Sequence, residues 1–393
     1  MYQYFRNVTP GSHEYNEFLE LVKGDEEGDL LKNMAFTKNG AHLVCLLFAN
    51  GTAKDRKQLL KPYKDTFLMM SGDPYGYVII LTTMDVIDDT KMTAKAIFPE
   101  ILGDTDEQAA ESLMAAASNP HARATLLYLL EGATKSVFPG PLQEGLEILK
   151  EVHEIRKTTS KKDGEVRAKE LVAAMSPQLI AGVKAAAEVL VNDSFGCQLA
   201  TEIMFSAIGD KTAALEAIAA TAAGNPEVEA GVTKTLEDTA TETPPHVSRT
   251  PHGGRLIKSL IAGGKFDKAS GSVVKVDPPL GFADILYPLV EEHVVAWATG
   301  PSSFVILNML ESEDFGDKKK LQATLKKNKA ALEKAAGGAG GDGKKKGAEN
   351  GKKKGGAAAG GEDGWEPGQQ AAFGEATVKT CTRRGGYEVK ERT

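Results

Sequence analysis

Thr37 to Phe48 reads TKNGAHLVCLLF, and Asp73 to Met84 reads DPYGYVIILTTM. Both stretches run from a polar turn through a glycine into an apolar segment, and the glycines, Gly40 and Gly76, stand 36 residues apart. His42 falls opposite Val78, Val44 opposite Ile80 and Phe48 opposite Met84. A phrase returning at that interval is the mark of a helical repeat array, in which each unit buries its apolar face by stacking on its neighbours. An array of this kind acts through the surface that its equivalent helices line up, and it is seldom an enzyme.

Working outward, the phrase echoes three more times. NDSFGCQLATEIM places Gly196 where Gly40 and Gly76 fall, SRTPHGGRLIKSLI does so with Gly253, and ATGPSSFVILNML with Ser302. Their spacings of 57 and 49 residues imply insertions between units. After SNPHARATLLYLL the period becomes irregular. FPGP, Phe138 to Pro141, is a breaker, and EIRKTTSKKDGEVRAKEL, residues 154–171, reads as a charged linker leading back into helix. Pro62 is placed to start or kink a turn. Asp85, Asp88 and Asp89 suit a loop and the first turn of the next helix. From Gly337 to Gly364 the composition collapses to Gly, Ala and Lys, which cannot bury enough apolar surface to order itself.

Composition narrows the class. Of 393 residues, 41% are hydrophobic and only 6% aromatic, which suits helix-on-helix packing and argues against an aromatic-rich sandwich or barrel. Three distant cysteines, Cys45, Cys197 and Cys381, build neither a disulfide framework nor a local zinc site, so a reducing, intracellular setting is expected. MYQYFRNVTPGS has no signal-peptide pattern, and no apolar run reaches the ~18–20 residues of a membrane span. The net charge of −7 is uneven: Lys318 to Thr393 carries 18 Lys and Arg against 9 Asp and Glu, leaving −16 on the rest. An acidic body with a basic tail implies that an anionic partner must meet local basic patches or the tail.

Enzyme signatures fail. His252-Gly253-Gly254 lacks a GxSxG elbow elsewhere, and the GxxxxGKK formed by Gly338 to Lys345 sits in low-complexity sequence without Ser or Thr. No catalytic set, metal, cofactor, small-molecule substrate or membrane partner is expected. The strongest candidate site is a cationic segment: Lys54, Arg56, Lys57, Lys61 and Lys64 lie within eleven residues beside a single Asp55. Lys57, Lys61 and Lys64 share a face if one helix carries them. Arg255 and Lys258 share a second helix face, with Arg249, His252 and Lys265 nearby in sequence. Arg156, Lys157, Lys161 and Lys162 read as incidental charge on a flexible linker.

GAHLVCLLFANGTAKDRKQLLK, followed one repeat later by DPYGYVIILTTMDVIDDT, resembles the Pumilio (PUF) repeat superfamily, and more narrowly its nucleolar PUF-A branch with a CPL domain. The resemblance runs from about Tyr2 to Ala335. It implies an all-α, curved superhelical α-solenoid of three-helix, armadillo-like repeats with a disordered basic tail. Residues 1–95 would hold C-terminal PUF repeats, 96–250 a CPL-like helical region, 251–335 final degenerate repeats and 336–393 the tail. Members of that branch are longer, so the chain looks like their C-terminal half.

The resemblance also implies RNA as partner, bound with little sequence preference, in processing and assembly of pre-rRNA into the large ribosomal subunit in the nucleolus. Pre-ribosomal proteins are implied as further partners, and translational control of mRNA as a further role. In base-reading relatives the first and fifth residues after the phrase glycine read a base edge, and the second stacks. Here those places hold Ala41, His42 and Cys45, then Tyr77, Val78 and Leu81, then Cys197, Gln198 and Thr201, then Gly254, Arg255 and Lys258, then Ser303, Phe304 and Leu307. Cys45, Leu81 and Leu307 cannot read a base edge, so the base code is mostly absent. His42 and Tyr77 are left as stacking candidates, while Phe304 is expected in the core. The rival expectation is a protein-binding helical scaffold whose acidic body meets basic partners with little RNA contact.

Overall fold

The computed structural model describes residues 1–338 apart from 26, 229–231, 235–239, 243 and 268–269. The expected tail, with its Lys344–Lys346 and Lys352–Lys354 runs, and Cys381 lie outside the described residues. The chain divides into two compact units after Ile218. In the first, α1 (Tyr2–Phe5), α2 (His13–Lys23) and α3 (Asp29–Ala35) precede the first phrase helix, α4 (Lys38–Asn50). Two three-helix repeats follow: α5 (Ala53–Leu60), α6 (Phe67–Gly72) and α7 (Gly76–Val86), then α8 (Thr90–Leu102), α9 (Asp106–Ser118) and α10 (Pro120–Glu131). Next come α11 (Gln143–Thr159), α12 (Gly164–Leu190), α13 (Ser194–Ser206) and α14 (Thr212–Ala220).

The second unit is also mainly helical. Strands β1 (Val232–Lys234) and β2 (Ala240–Glu242) pair antiparallel ahead of α15 (Pro251–Ala262). A hairpin of β3 (Gly264–Asp267) and β4 (Ser272–Lys275) sets Phe266 opposite Val273. Helices α16 (Phe282–Val290), α17 (Val294–Thr299), α18 (Phe304–Glu311), α19 (Lys318–Lys327) and α20 (Lys329–Gly338) complete it. Trp297, Tyr287 and Phe282 are its largest fully buried side chains. The all-α repeat architecture read from the phrase is thus the observed one, with two short hairpins added.

The phrase glycine has a packing cause. A Cβ on Gly40 would come within 2.3 Å of the Met34 carbonyl oxygen; on Gly196, within 2.5 Å of that of Leu190; on Gly253, within 2.5 Å of that of Val247. On Gly76 it would stand 3.0 Å from the Met70 Cα. Each blocking residue lies six positions earlier, so at these four glycines the phrase helix crosses directly over the last turn before it, and a side chain at the crossing has no room.

Three residues before Gly76, Gly196 and Gly253 stands a side-chain cap, whereas Thr37, three before Gly40, turns its hydroxyl to the Met34 carbonyl at 3.0 Å. Asp73 Oδ1 accepts from the Gly76 amide at 2.8 Å, Asp193 Oδ2 from Gly196 at 2.7 Å and Thr250 Oγ1 from Gly253 at 3.2 Å. Caps of this type stabilise a helix by about 1 kcal/mol each. The same arrangement occurs at Asn119, whose Oδ1 accepts from His121 and Ala122 at 2.8 and 3.2 Å. Helix α10 is therefore a phrase helix too, with Ala122 in the glycine place.

Helix α12 spans 27 residues and holds Pro177 near its middle. It precedes phrase helix α13 as the pair α8 and α9 precedes α10, so two repeat helices run together there. The charged stretch 154–171 is not a flexible linker. It is the last turn of α11, a four-residue connection and the start of α12, and its fixation involves the site described next.

Candidate nucleic-acid interface

A phrase helix in an open array should leave one face to solvent. Here α7 is buried at all eleven positions, and α4 is buried from Gly40 to Ala49 except at half-exposed His42. The cover is α11, whose buried Gly145, Ile148, Leu149 and Val152 follow helical spacing and which packs on both α4 and α7. Burying such aliphatic side chains contributes about 1.5–3 kcal/mol each.

The two proposed stacking residues lie beneath or beside this helix. Tyr77 is 2% exposed, and a side chain at Gly145 would collide with its hydroxyl; the glycine makes a notch for the phenol. Burial pushes the Tyr77 hydroxyl pKa well above its usual value. His42 is held on both nitrogens: Nε2 meets Glu151 at 2.7 Å and Nδ1 meets the Tyr2 hydroxyl at 2.9 Å. A carboxylate only accepts, so Nε2 carries the hydrogen toward Glu151. Cys45 is fully buried, with burial pushing its thiol up to about 12. His42 and Tyr77 are therefore corrected from stacking candidates to packing residues of the α4–α7–α11 layer.

Acids at the end of α7 fix the far end of the cover. Asp85 sits inside α7, not in a loop. Its carboxylate accepts from the Tyr128 hydroxyl at 2.6 Å, from His153 Nε2 at 2.6 Å and from Arg156 Nη1 at 3.1 Å. Asp88 accepts from Ser160 Oγ at 2.6 Å, the Lys161 and Lys162 amides at 2.9 and 3.1 Å, and Arg167 at 2.6 Å. Burial alone would raise the Asp88 pKa, but these donors outweigh it and hold the carboxyl well below the usual range. Asp89 caps α8 by accepting from the Met92 amide at 3.0 Å, as expected of a first-turn acid.

The cationic segment divides. Arg56 is 2% exposed and is not a phosphate ligand. Its guanidinium donates to the carbonyls of Phe48 at 2.8 Å, Ala49 at 2.9 Å and Val86 at 2.6 Å, and to Thr159 Oγ1 at 3.0 Å. It thus joins the C-terminal ends of α4, α7 and α11, where a cation also meets helix dipoles favourably. Arg167 does the same for α7, donating to the Ile87 carbonyl at 3.2 Å. Both arginines stand four residues after a helix cap, Thr52 and Asp163.

Lys54, Lys57, Lys61 and Lys64, by contrast, are exposed. The acid inside the stretch is engaged elsewhere: Asp55 pairs with Lys23 at 2.8 Å and closes a capping box with Thr52, while Asp65 directly after Lys64 is exposed. The expected single helix face is shorter than its spacing suggests. Helix α5 ends at Leu60, a 3-10 turn carries Lys61 to Tyr63, and Lys64 follows in extended conformation. Buried Tyr63 donates to the Leu31 carbonyl at 3.1 Å and anchors that turn, so Lys61 and Lys64 flank a fixed point.

Comparison with known proteins bears on what this layout belongs to. The CPL (NUC119) domain family matches residues 118–271. The Pumilio homology domain family member 6 of Schizosaccharomyces pombe is 29% identical over 324 residues, 82% of this chain and 46% of the relative. Human Pumilio homolog 3 is 29% identical over 303 residues, 77% of this chain and 42% of the relative. The crystal structure of human Puf-A in complex with DNA superposes with a TM-score of 0.65 at 27% identity, covering 85% of this chain and 58% of that one. These matches support a Puf-A-like Pumilio-repeat protein with a CPL domain. It spans less than half the length of these curated Pumilio relatives.

In this Puf-A-like chain the second-unit candidates stay exposed. Arg255 and Lys258 project from α15, and Lys258 Nζ stands 5.9 Å from the Phe304 ring centroid. Between them and the core, Gly254 leaves room for Ser302, whose Oγ a Cβ would meet at 2.3 Å. Arg249 donates to the Pro226 carbonyl at 3.1 Å. Phe304 is half-exposed, not a core residue. The sequence reading missed Lys91 and Lys95, exposed on α8, the helix equivalent to α5 in the next repeat. Their signal was available: each follows a phrase glycine at nearly the distance that separates Gly40 from Lys54 and Lys57.

Proposed function

We propose that the chain binds RNA with low sequence specificity, through phosphate contacts from Lys54, Lys57, Lys61 and Lys64, and performs no chemistry. The observation that carries this reading is the contrast between those exposed lysines and a phrase face closed by α11. A base has no access to Tyr77 or Cys45, and His42 is engaged on both ring nitrogens, whereas a phosphate backbone has access to the lysine row. The DNA in the human Puf-A crystal structure supports nucleic acid as the ligand class. The proposed setting is the nucleolus, with pre-rRNA and large-subunit precursor proteins as partners in processing and assembly, and translational control of mRNA as a further role.

The test replaces Lys54, Lys57, Lys61 and Lys64 with Gln and follows affinity for unrelated RNA sequences across a salt series. Each lost phosphate contact should flatten the log–log salt dependence by about 0.7–0.9, equally for every sequence. An unchanged slope sinks the reading. Crosslinking in cells should recover pre-rRNA, and fluorescence imaging should place the protein in the nucleolus. A second reading, a scaffold for basic proteins, draws on the −16 carried by residues 1–317. Partners retained in a pull-down after nuclease treatment would favour it.

A further inference from the structure

Helix α19, KKKLQATLKK, carries five lysines and no acid. Leu321 and Leu325 are buried and fasten it to the second unit, and Leu332 of α20 is buried as well. Lys319, Lys320, Lys326 and Lys327 are exposed. At 100° per residue these four centre roughly opposite the two leucines, with like pairs about 10 Å apart along the axis. The first turn holds Lys318, Lys319 and Lys320 at the positive end of the helix dipole, and Asp317 makes no side-chain cap bond there. Cations in that position oppose folding. Among them Lys320 pairs with Glu291 at 2.6 Å.

Elsewhere among the described residues several helical lysines are matched with acids: Lys150 with Glu147 and Lys157 with Glu154 at 2.7 Å, Lys38 with Glu144 at 2.8 Å. The lysine-bearing helices α5, α8 and α19 share a place in the repeat. Helix α5 follows phrase helix α4, α8 follows α7, and α19 follows α18, the helix of the Ser302 echo. Lys54, Lys91 and Lys318 stand 14, 15 and 16 residues after Gly40, Gly76 and Ser302.

We propose that α19 is a second phosphate-binding helix, with Lys319, Lys326 and Lys327 contacting the phosphodiester backbone of RNA. This rests on the RNA-binding reading above and extends it to the second unit. In the full chain, the triple variant Lys319→Gln, Lys326→Gln, Lys327→Gln should flatten the salt dependence of RNA binding by about 2–3 on the log–log scale. Thermal stability should be unchanged, and the triple Arg variant should keep the original slope. Should the Gln variant keep the original slope while the Lys54, Lys57, Lys61 and Lys64 variant lowers it, α19 is overturned and the RNA reading stands. Should neither variant change it, or the parent chain bind no RNA, both readings fall. Loss of binding to an acidic peptide or to anionic vesicles with RNA affinity intact also overturns it.

Discussion

Residues 53–64 and 154–171 are the two most cation-rich stretches of the first unit, and the fold treats them oppositely. In both, an arginine four positions into a helix is drawn inward to the end of α7: Arg56 to Val86 and Arg167 to Ile87 and Asp88. The remaining cations then part company. Arg156 meets Asp85 at 3.1 Å, Lys157 meets Glu154 at 2.7 Å and Lys162 meets Glu170 at 2.6 Å. Lys54, Lys57, Lys61 and Lys64 stay at the surface beside an Asp55 that is already engaged. Positive charge is a fastener in one stretch and an offered surface in the other, and what decides between them is where the acids stand.

The sharpest way to break this contrast is Arg56→Ala. It removes four hydrogen bonds and leaves three buried carbonyls without that donor, so chemical denaturation should show a loss of about 3 kcal/mol or more. Arg56→Lys should recover only part, because an ammonium cannot reproduce the planar fork. Lys57→Ala should fall within about 0.5 kcal/mol of the parent. Equal losses for Arg56→Ala and Lys57→Ala would erase the distinction.

Gly196→Ala comes next. Its Cβ must displace backbone at 2.5 Å, with a cost of about 1–3 kcal/mol in the same measurement. The reverse change in the equivalent place, Ala122→Gly, should cost about 1 kcal/mol, the helix penalty of glycine alone. A smaller effect is expected from acid. Asp88 has a depressed pKa in the folded chain, so its stabilisation is complete above the unfolded carboxylate value near 4 and is lost as pH falls below it. Melting temperature between about pH 4 and pH 2 should therefore decline less steeply in Asp88→Asn than in the parent. The smallest effect is on RNA: Glu151→Gln loosens the His42 contact yet should leave RNA affinity unchanged, as measured by anisotropy, because that face admits no base.

The repeat was legible because its two chemical requirements, a capping side chain and a glycine three residues later, are written in single letters. It faded at Asn119 for the same reason: Ala122 meets the steric demand less strictly, and a search led by glycine passes over it. The cover was not legible. Helix α11 interrupts the period, and whether its apolar stripe rests on α4 and α7 or elsewhere is a tertiary matter. Gly145 and Tyr77 reveal it only when seen together. Lys54 and Arg56 look alike in a charge count, and their opposite fates follow from helix phase relative to the ends of α4 and α7. The lysine row itself was legible, though its helical face was drawn one turn too long because Pro62 converts the end of α5 into a 3-10 turn.

The seat of α11 bears on how this protein comes apart. An ordinary array behaves as a one-dimensional chain of nearest neighbours and can open from an end, one repeat at a time. Here a helix about 100 residues downstream of α4 lies across two successive phrase helices, and Arg56 links the ends of all three. Neither α4 nor α7 can be exposed while α11 stays in place. Amide hydrogen exchange should then find these three helices opening together with one free energy, as a single cooperative block.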